Sequence, residues 1–524
     1  MAYRLAEAGL SVCVLERGKA YPPGSFPRSP WETSRNFWDP SEGLHGLFDV
    51  WTFRGLGGIV ASGLGGGSLL WSNVVLRKDR STFVKEEGEY WPVDYDDLEP
   101  HYERHERMLR ATPYPFDREP YDRTYKTKAM EYASGELGLE WFLPPLAVAF
   151  DPGDGRPRPG EPILGEANLH GRTRLTCLLC GECNIGCNYG AKNTLDFNYL
   201  SLAKLRHGAD IRTQSEVKTF APRPEGGYEI DYVDHAEGVP RRLTADRLVL
   251  SAGAFGSSYL MLKNREAFPH LSKRLGTHLC GNGDFLALAI KAKENGAARI
   301  VDPGYGPVIT STIRVKDEAE GGAGRGYYLQ DGGHPQGVNW IIESSYQLGV
   351  LRNLLRLTKR LVKKWLRLDR RSDIGREIAA FFSPADLSSS SMPLFSMGRD
   401  MPDGNMTLTE DGYLDVDWDK RSSTPFFEDL RRTAKDVART LDAKYVDGPP
   451  WYLSRLVTVH PLGGCPMGRD ENEGVVDSYG RVFNYPGLLI VDGSILPGPV
   501  GPNPSTTIAA VAHRAAERLI ADAS

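Results

Sequence analysis

The residues best placed to do chemistry lie toward the C-terminal end of the chain. Leu456–His460 reads as a strand, broken at once by Pro461-Leu462-Gly463-Gly464-Cys465-Pro466. A histidine at a strand end ahead of paired glycines faces a cleft, where an imidazole can take a proton from a hydroxyl near neutral pH. Leu488–Val491 forms a second buried strand ending in Asp492-Gly493-Ser494, where Asp492 is either a turn residue or a partner for ligand hydroxyls. Asn503-Pro504 opens the helix expected over Ile508–Ile520, with Asn503 as cap and Pro504 at the first helical position. The start of that helix also offers about half a unit of positive charge, suited to an anion. Cys177, Cys180, Cys183 and Cys187 have the spacing of a ferredoxin half-motif, with Asn188 where a proline would follow. An iron–sulfur cluster, a zinc ion and unmetallated thiols are the three readings of that loop.

These groups need a scaffold, and the chain begins part-way through one. Ala2–Ala8 reads as a helix stopped by Gly9, and Ser11–Leu15 as a buried strand with Glu16 at its carboxyl end. This is the second half of a βαβ dinucleotide unit, whose strand-end acid holds a ribose because a carboxylate accepts two hydroxyls at once. A solvent-facing strand-end Glu16 is the bland alternative. The first strand and its G-x-G-x-x-G turn are expected about 15–20 residues upstream of Met1. Without them the chain would be a non-catalytic remnant.

Phe53–Gly67 carries seven glycines and runs directly into Ser68-Leu69-Leu70-Trp71-Ser72-Asn73. Consecutive glycines let backbone approach a flat ring or a phosphate, and the apolar run anchors the loop. Residues 210–253 alternate strand and turn, ending in the buried RLVLSAG strand with Gly253 at its end. Residues 290–455 lack any dinucleotide pattern and suit a substrate domain. Within them, 351–371 predicts an amphipathic helix. Leu351, Leu354, Leu355, Leu361, Val362 and Trp365 share one face, and nine Lys and Arg residues occupy the rest. Such a helix either packs on the domain or lies on an anionic membrane surface.

The bulk numbers agree with a globular chain. It has 524 residues, 40% of them hydrophobic and 25% charged, with a formal charge of −5, enough for two interlocked domains. The mild acidity argues against nucleic acid as a partner. Seven cysteines, four of them in one loop, do not form a disulfide framework, which predicts a reducing, cytoplasmic setting with peripheral membrane contact through 351–371 as the one addition.

Taken together, VLERG, the GGGS-LLWSN loop, WPVDYDDLEPHY (91–102), SAGAFGSSYLML, HPLGGCPMG and VDGSILPGPVGPNPSTTIAA resemble the glucose–methanol–choline (GMC) oxidoreductases nearly end to end, most of all their cholesterol oxidase-like branch. The resemblance implies an α/β FAD-binding Rossmann-like domain (1–80, 171–290 and 456–524) interleaved with an α+β substrate-binding domain (81–170 and 291–455). The one departure is the first strand and glycine turn, missing from this chain. It also implies FAD as a non-covalent cofactor and hydride transfer from a sterol-like or other apolar alcohol.

Residue by residue, the resemblance makes His460 the active-site histidine and Asn503 its amide partner at the alcohol oxygen. Glu16 would hold the adenosine ribose. Gly66, Gly67, Ser68, Asn73, Val217, Gly253, Asp492 and Thr506 would line the cofactor, as would Asn503 itself. The helix start behind Asn503 would favour the negative pyrimidine end of a reduced flavin. Branch members add a carboxylate from the substrate domain, for which Asp331 and Glu343 are available. The electron acceptor is left open between oxygen, a quinone and a protein; an iron–sulfur cluster would favour export of electrons. A dehydrogenase of a sugar or specialised metabolite is the alternative.

Overall fold

The computed structural model describes residues 1–84, 89–165, 167–335, 386–452 and 455–523. The basic segment 351–371 and Glu343 lie outside the described residues. No helix among the described residues is long and apolar enough to cross a membrane.

The helix expected at the start forms over Ala2–Glu7, and Gly9 takes a left-handed backbone (φ 84°) just beyond it. The strand after it is shorter and less buried than its pattern suggests. It runs Cys13–Leu15, pairs in parallel with Asp210–Arg212, and leaves Cys13 exposed. The second parallel pair joins Leu248–Leu250 to Leu488–Ile490. Beside them, Ser215–Pro222, Tyr228–Asp234 and Val239–Ala245 form an antiparallel meander. Its inward residues Phe220, Tyr228 and Ile230 pack with Leu250, Leu488, Ile490 and the buried face of the C-terminal helix (Ala510, Val511). Alternation of apolar and polar residues along these strands is what makes one face of the meander a core face.

The other half of the molecule is a six-stranded antiparallel sheet. Its order is Lys444–Asp447, Phe285–Ile290, Met392–Gly398, Tyr327–Asp331, Thr312–Val315, Glu140–Phe142. The helices Tyr125–Leu137 and Thr424–Thr440 pack against it through Ala129, Met130, Phe426, Phe427, Leu430 and Val437. Phe285–Ile290 is an inner strand of this sheet, paired on both sides, and the chain crosses into it ahead of residue 285. That crossing, Cys280–Asp284, positions the functional site.

Candidate active site

His460 stands just past the strand Leu456–Thr458, which pairs in parallel with Leu56–Ala61. The chain can turn there because Gly463 and Gly464 adopt φ of 85° and 106° and lie close against other groups. A Cβ on Gly463 would meet the His278 carbonyl oxygen at 1.9 Å, and one on Gly464 the Ser258 Oγ at 2.1 Å. The paired glycines therefore serve close packing of the turn.

The histidine does not act alone. Its Nδ1 meets Asp284 Oδ1 at 2.7 Å, and the other carboxylate oxygen accepts from Thr458 Oγ1 (2.9 Å), Val459 N (2.8 Å) and His460 N (3.1 Å). An ionised carboxylate only accepts, so this contact places the proton on Nδ1 and leaves the Nε2 lone pair to face outward. The imidazole keeps 19% of its surface exposed, while Asp284 is buried. Behind the pair, Asp400 Oδ2 accepts from Gly281 N (2.9 Å). Burial, with a smaller push from the Asp284 charge, raises its carboxyl up to about 7. Sequence reasoning missed Asp284. The only signal was the Gly-Asn-Gly-Asp turn at 281–284 ahead of an apolar run.

The same turn reaches the second functional segment. Asn282 Oδ1 accepts from Val500 N (2.9 Å) and Gly501 N (3.0 Å), and its Nδ2 donates to the Pro502 carbonyl (3.1 Å). Five residues thus tie His460 at one end and the approach to Asn503 at the other. The C-terminal helix runs Ser505–Ala521, with Pro504 itself in the cap position and no side-chain cap bond. This corrects the expectation that Asn503 caps the helix. Its Oδ1 accepts from Gln330 Nε2 at 3.0 Å instead, because the side chain is turned onto the six-stranded sheet.

Several expected cofactor residues converge. The Glu16 carboxylate accepts from Gly18 N (2.7 Å), and Lys19 bridges to Gly63, which brings the strand end against the glycine-rich loop. Burial pushes the Glu16 carboxyl up to about 7. Ser215 N donates to the Glu16 carbonyl (2.8 Å), so Val217, on the strand Ser215–Pro222, lies two residues from that contact. Gly66 and Gly67 face open space. Ser68 turns its hydroxyl inward: Oγ donates to the Gly65 carbonyl (2.7 Å) and accepts from Leu195 N (3.0 Å). Asp492 is likewise committed, because Gly253 N, Ser257 Oγ, Ser494 N and Ser494 Oγ occupy its two oxygens. Its carboxyl, raised by burial, holds the Gly253 turn and has no acceptor position left for cofactor hydroxyls.

FAD can be tested against what remains unpaired. Asn73 is fully buried at φ 69°, and neither atom of its amide has a partner among the described residues. The same holds for Trp71 Nε1, Ser505 Oγ and Thr506 Oγ1. Buried polar groups in native proteins are nearly always satisfied. A ligand rich in carbonyls, hydroxyls and phosphates supplies what this set lacks, and FAD fits. A prediction follows for Glu16. Hydroxyls of an FAD held by Glu16 would donate to the ionised form, so binding below pH about 7 would release a proton. Cofactor affinity of the apoprotein should rise with pH up to about 7 and then level, by at most ~10-fold per pH unit. Glu16→Gln should bind FAD more weakly with that slope gone. Flavin fluorescence titrations from pH 5.5 to 8 measure both, and an equal slope in the variant would free Glu16 of this role.

Two expectations need correction. Asp331 is no free carboxylate: it is fully buried and takes Lys126 Nζ (2.6 Å), Thr310 N (2.9 Å), Ser311 N (2.7 Å) and Thr310 Oγ1. The four cysteines line one cavity with Tyr189 and Lys192, and none is in a disulfide. Among the described residues no group of three or more His, Cys, Asp or Glu is arranged to hold a metal ion. Cys177 and Cys183 instead pack with Tyr114, Tyr121 and Phe150. The loop's visible role is mechanical. Lys192 Nζ donates to the carbonyls of Leu69 (3.0 Å), Trp71 (2.9 Å) and Cys183 (2.8 Å), pinning the glycine loop to the cysteine loop.

Comparison with known proteins gives the chain's relatives. Two family models, both described as GMC oxidoreductase, match residues 169–280 and 401–512. A cholesterol oxidase of Mycobacterium tuberculosis is 31% identical over 98% of this chain and 88% of its own. A cholesterol oxidase of Acinetobacter baumannii is 28% identical over 98% and 91%. Among solved structures, pyridoxine 4-oxidase from Mesorbium loti shares the fold, with a TM-score of 0.59 at 16% identity over 99% of this chain and 96% of that one.

Proposed function

This chain belongs to the GMC oxidoreductases, enzymes acting on CH–OH groups, and we propose that it oxidises a sterol-like or other apolar alcohol using His460, Asp284, Asn503 and bound FAD. The observation that carries this reading is the Cys280–Asp284 turn. It holds the imidazole through Asp284 and the backbone ahead of Asn503 through Asn282.

Oxidising an alcohol removes a proton from oxygen and a hydride from carbon. His460 Nε2, its tautomer set by Asp284, takes the proton. Asn503 offers its amide hydrogens to the same oxygen and so orients the carbinol. Glu16, Asn73, Gly66, Gly67 and Thr506 hold the cofactor. When bound, FAD supplies the two-electron acceptor for the hydride. The sterol-like class is supported by the two cholesterol oxidases among the relatives.

The test is anaerobic mixing of the purified flavoprotein with cholesterol, a primary aliphatic alcohol and a sugar in turn, followed by oxygen or a soluble quinone. Bleaching of the flavin by the sterol and not by the sugar is the expected result. Bleaching by the sugar alone would replace the apolar substrate with a polar one, and the reoxidation step assigns the acceptor.

A further inference from the structure

We infer that Gln330, from the substrate-side sheet, is a positioning residue that fixes which end of the Asn503 amide faces the alcohol; this rests on the role proposed for Asn503. Gln330 lies on Tyr327–Asp331, a central strand of the six-stranded sheet, and is fully buried. Its Nε2 donates both to Asn503 Oδ1 (3.0 Å) and to Thr312 Oγ1 on the neighbouring strand (3.2 Å).

An asparagine amide turns broadly about its last torsion, with two nearly equivalent faces. A donor held against Oδ1 removes that freedom. Asn503 must then present Nδ2, for which no hydrogen-bond acceptor exists among the described residues, as the donor toward an alcohol oxygen. A free asparagine would spend part of its time offering an oxygen to another oxygen.

Two further features point the same way. Gln330 Oε1 is buried without a partner among the described residues, so the side chain is not there simply to complete a saturated network. The strand is also stiffly anchored at the next residue, where Asp331 is bound by Lys126, Thr310 and Ser311. Gln330 is therefore presented from a fixed backbone, as a positioning group requires.

A glutamate at this position separates geometry from mere packing. Ionised, it would set an acceptor against Asn503 Oδ1; protonated, it could donate again. Anaerobic reduction of the flavin by the verified alcohol should be slower by about 10²-fold in Gln330→Glu at pH 8. Its rate relative to the parent should recover as the pH falls. Gln330→Met, of matching length and without a donor, should be slow at every pH. Asn503→Ala should also be slow, and the double variant Gln330→Met/Asn503→Ala no slower than Asn503→Ala alone. Flavin content and melting temperature are measured beside each rate.

If Asn503→Ala reduces its flavin at the parent rate, the site reading itself falls and the role of Gln330 with it. If Asn503→Ala is slow while Gln330→Met is not, or the two losses multiply, Asn503 stands and the positioning role is overturned. A Gln330→Glu rate that tracks the parent at every pH would overturn it as well.

Discussion

Flavin reduction by the alcohol should slow about 10²–10⁴-fold when His460 is replaced by alanine, the usual worth of a positioned acid–base group. In the proposed reaction the imidazole is the proton acceptor, and its Nε2 points away from the carboxylate that holds Nδ1. Its loss leaves the alcohol to give its proton to water in a less favourable geometry. The cofactor residues lie on other segments, so FAD content should stay at the parent level. Melting temperature should fall only modestly, because Asp284 keeps its three donors on Oδ2 and loses one on Oδ1. That loss is worth roughly 1–2 kcal/mol. Stopped-flow reduction, flavin content and thermal unfolding on the same preparation separate the chemical effect from the structural one. A variant that reduces its flavin at the parent rate would reduce His460 to a turn residue ahead of two glycines.

The second large effect belongs to Asp284, and asparagine is the informative replacement. Three donors surround the Oδ2 position: Thr458 Oγ1, Val459 N and His460 N. In Asp284→Asn the amide oxygen of the new side chain would settle there, turning its NH2 toward His460 Nδ1. That forces Nδ1 to accept and places the proton on Nε2, the wrong tautomer for a base. Gln330, Asn503 and the cofactor residues are untouched. The variant should therefore bind FAD and unfold cooperatively while reducing its flavin about 10²–10³-fold more slowly. The loss should fall in the limiting reduction rate and not in apparent substrate affinity, since the residue does not touch substrate. Asp284→Ala would add a stability loss by stranding Val459 N, since Thr458 Oγ1 still reaches the Gly281 carbonyl and His460 N still reaches Thr458 Oγ1. Parent-like reduction in Asp284→Asn, with the His460→Ala result intact, would show that the imidazole needs no carboxylate to set its proton.

The way the expectation for Asn503 failed is instructive. Asn-Pro before an apolar run is a sound local signal for a helix start, and the helix does begin within two residues of it. Local sequence cannot show that a glutamine 173 positions earlier offers a better donor to the same oxygen. The same applies to Asp331, which is indistinguishable in sequence from a free acid until Lys126 is folded against it. It applies also to the cysteines, whose spacing suits a cluster although no group of three or more such side chains among the described residues is arranged to hold a metal.

The sequence by itself determined the periodic and the local. Alternating strands gave the meander and the parallel pairs, glycines marked the turns that must pack closely, and the ordered motifs singled out His460, Glu16 and the glycine loop as candidates, because each is a short-range pattern. Only the tertiary structure decided which groups are free to act. It bound Asp284 to His460 across 176 residues, Asn282 to the loop before Asn503 across 218, and Gln330 to Asn503. It also took Asp331, Asp492 and Ser68 out of reach by filling their hydrogen-bonding positions. The physical reason is that a polar side chain's role is set by the partner left unfilled once the chain has folded, and those partners come from segments far away in sequence.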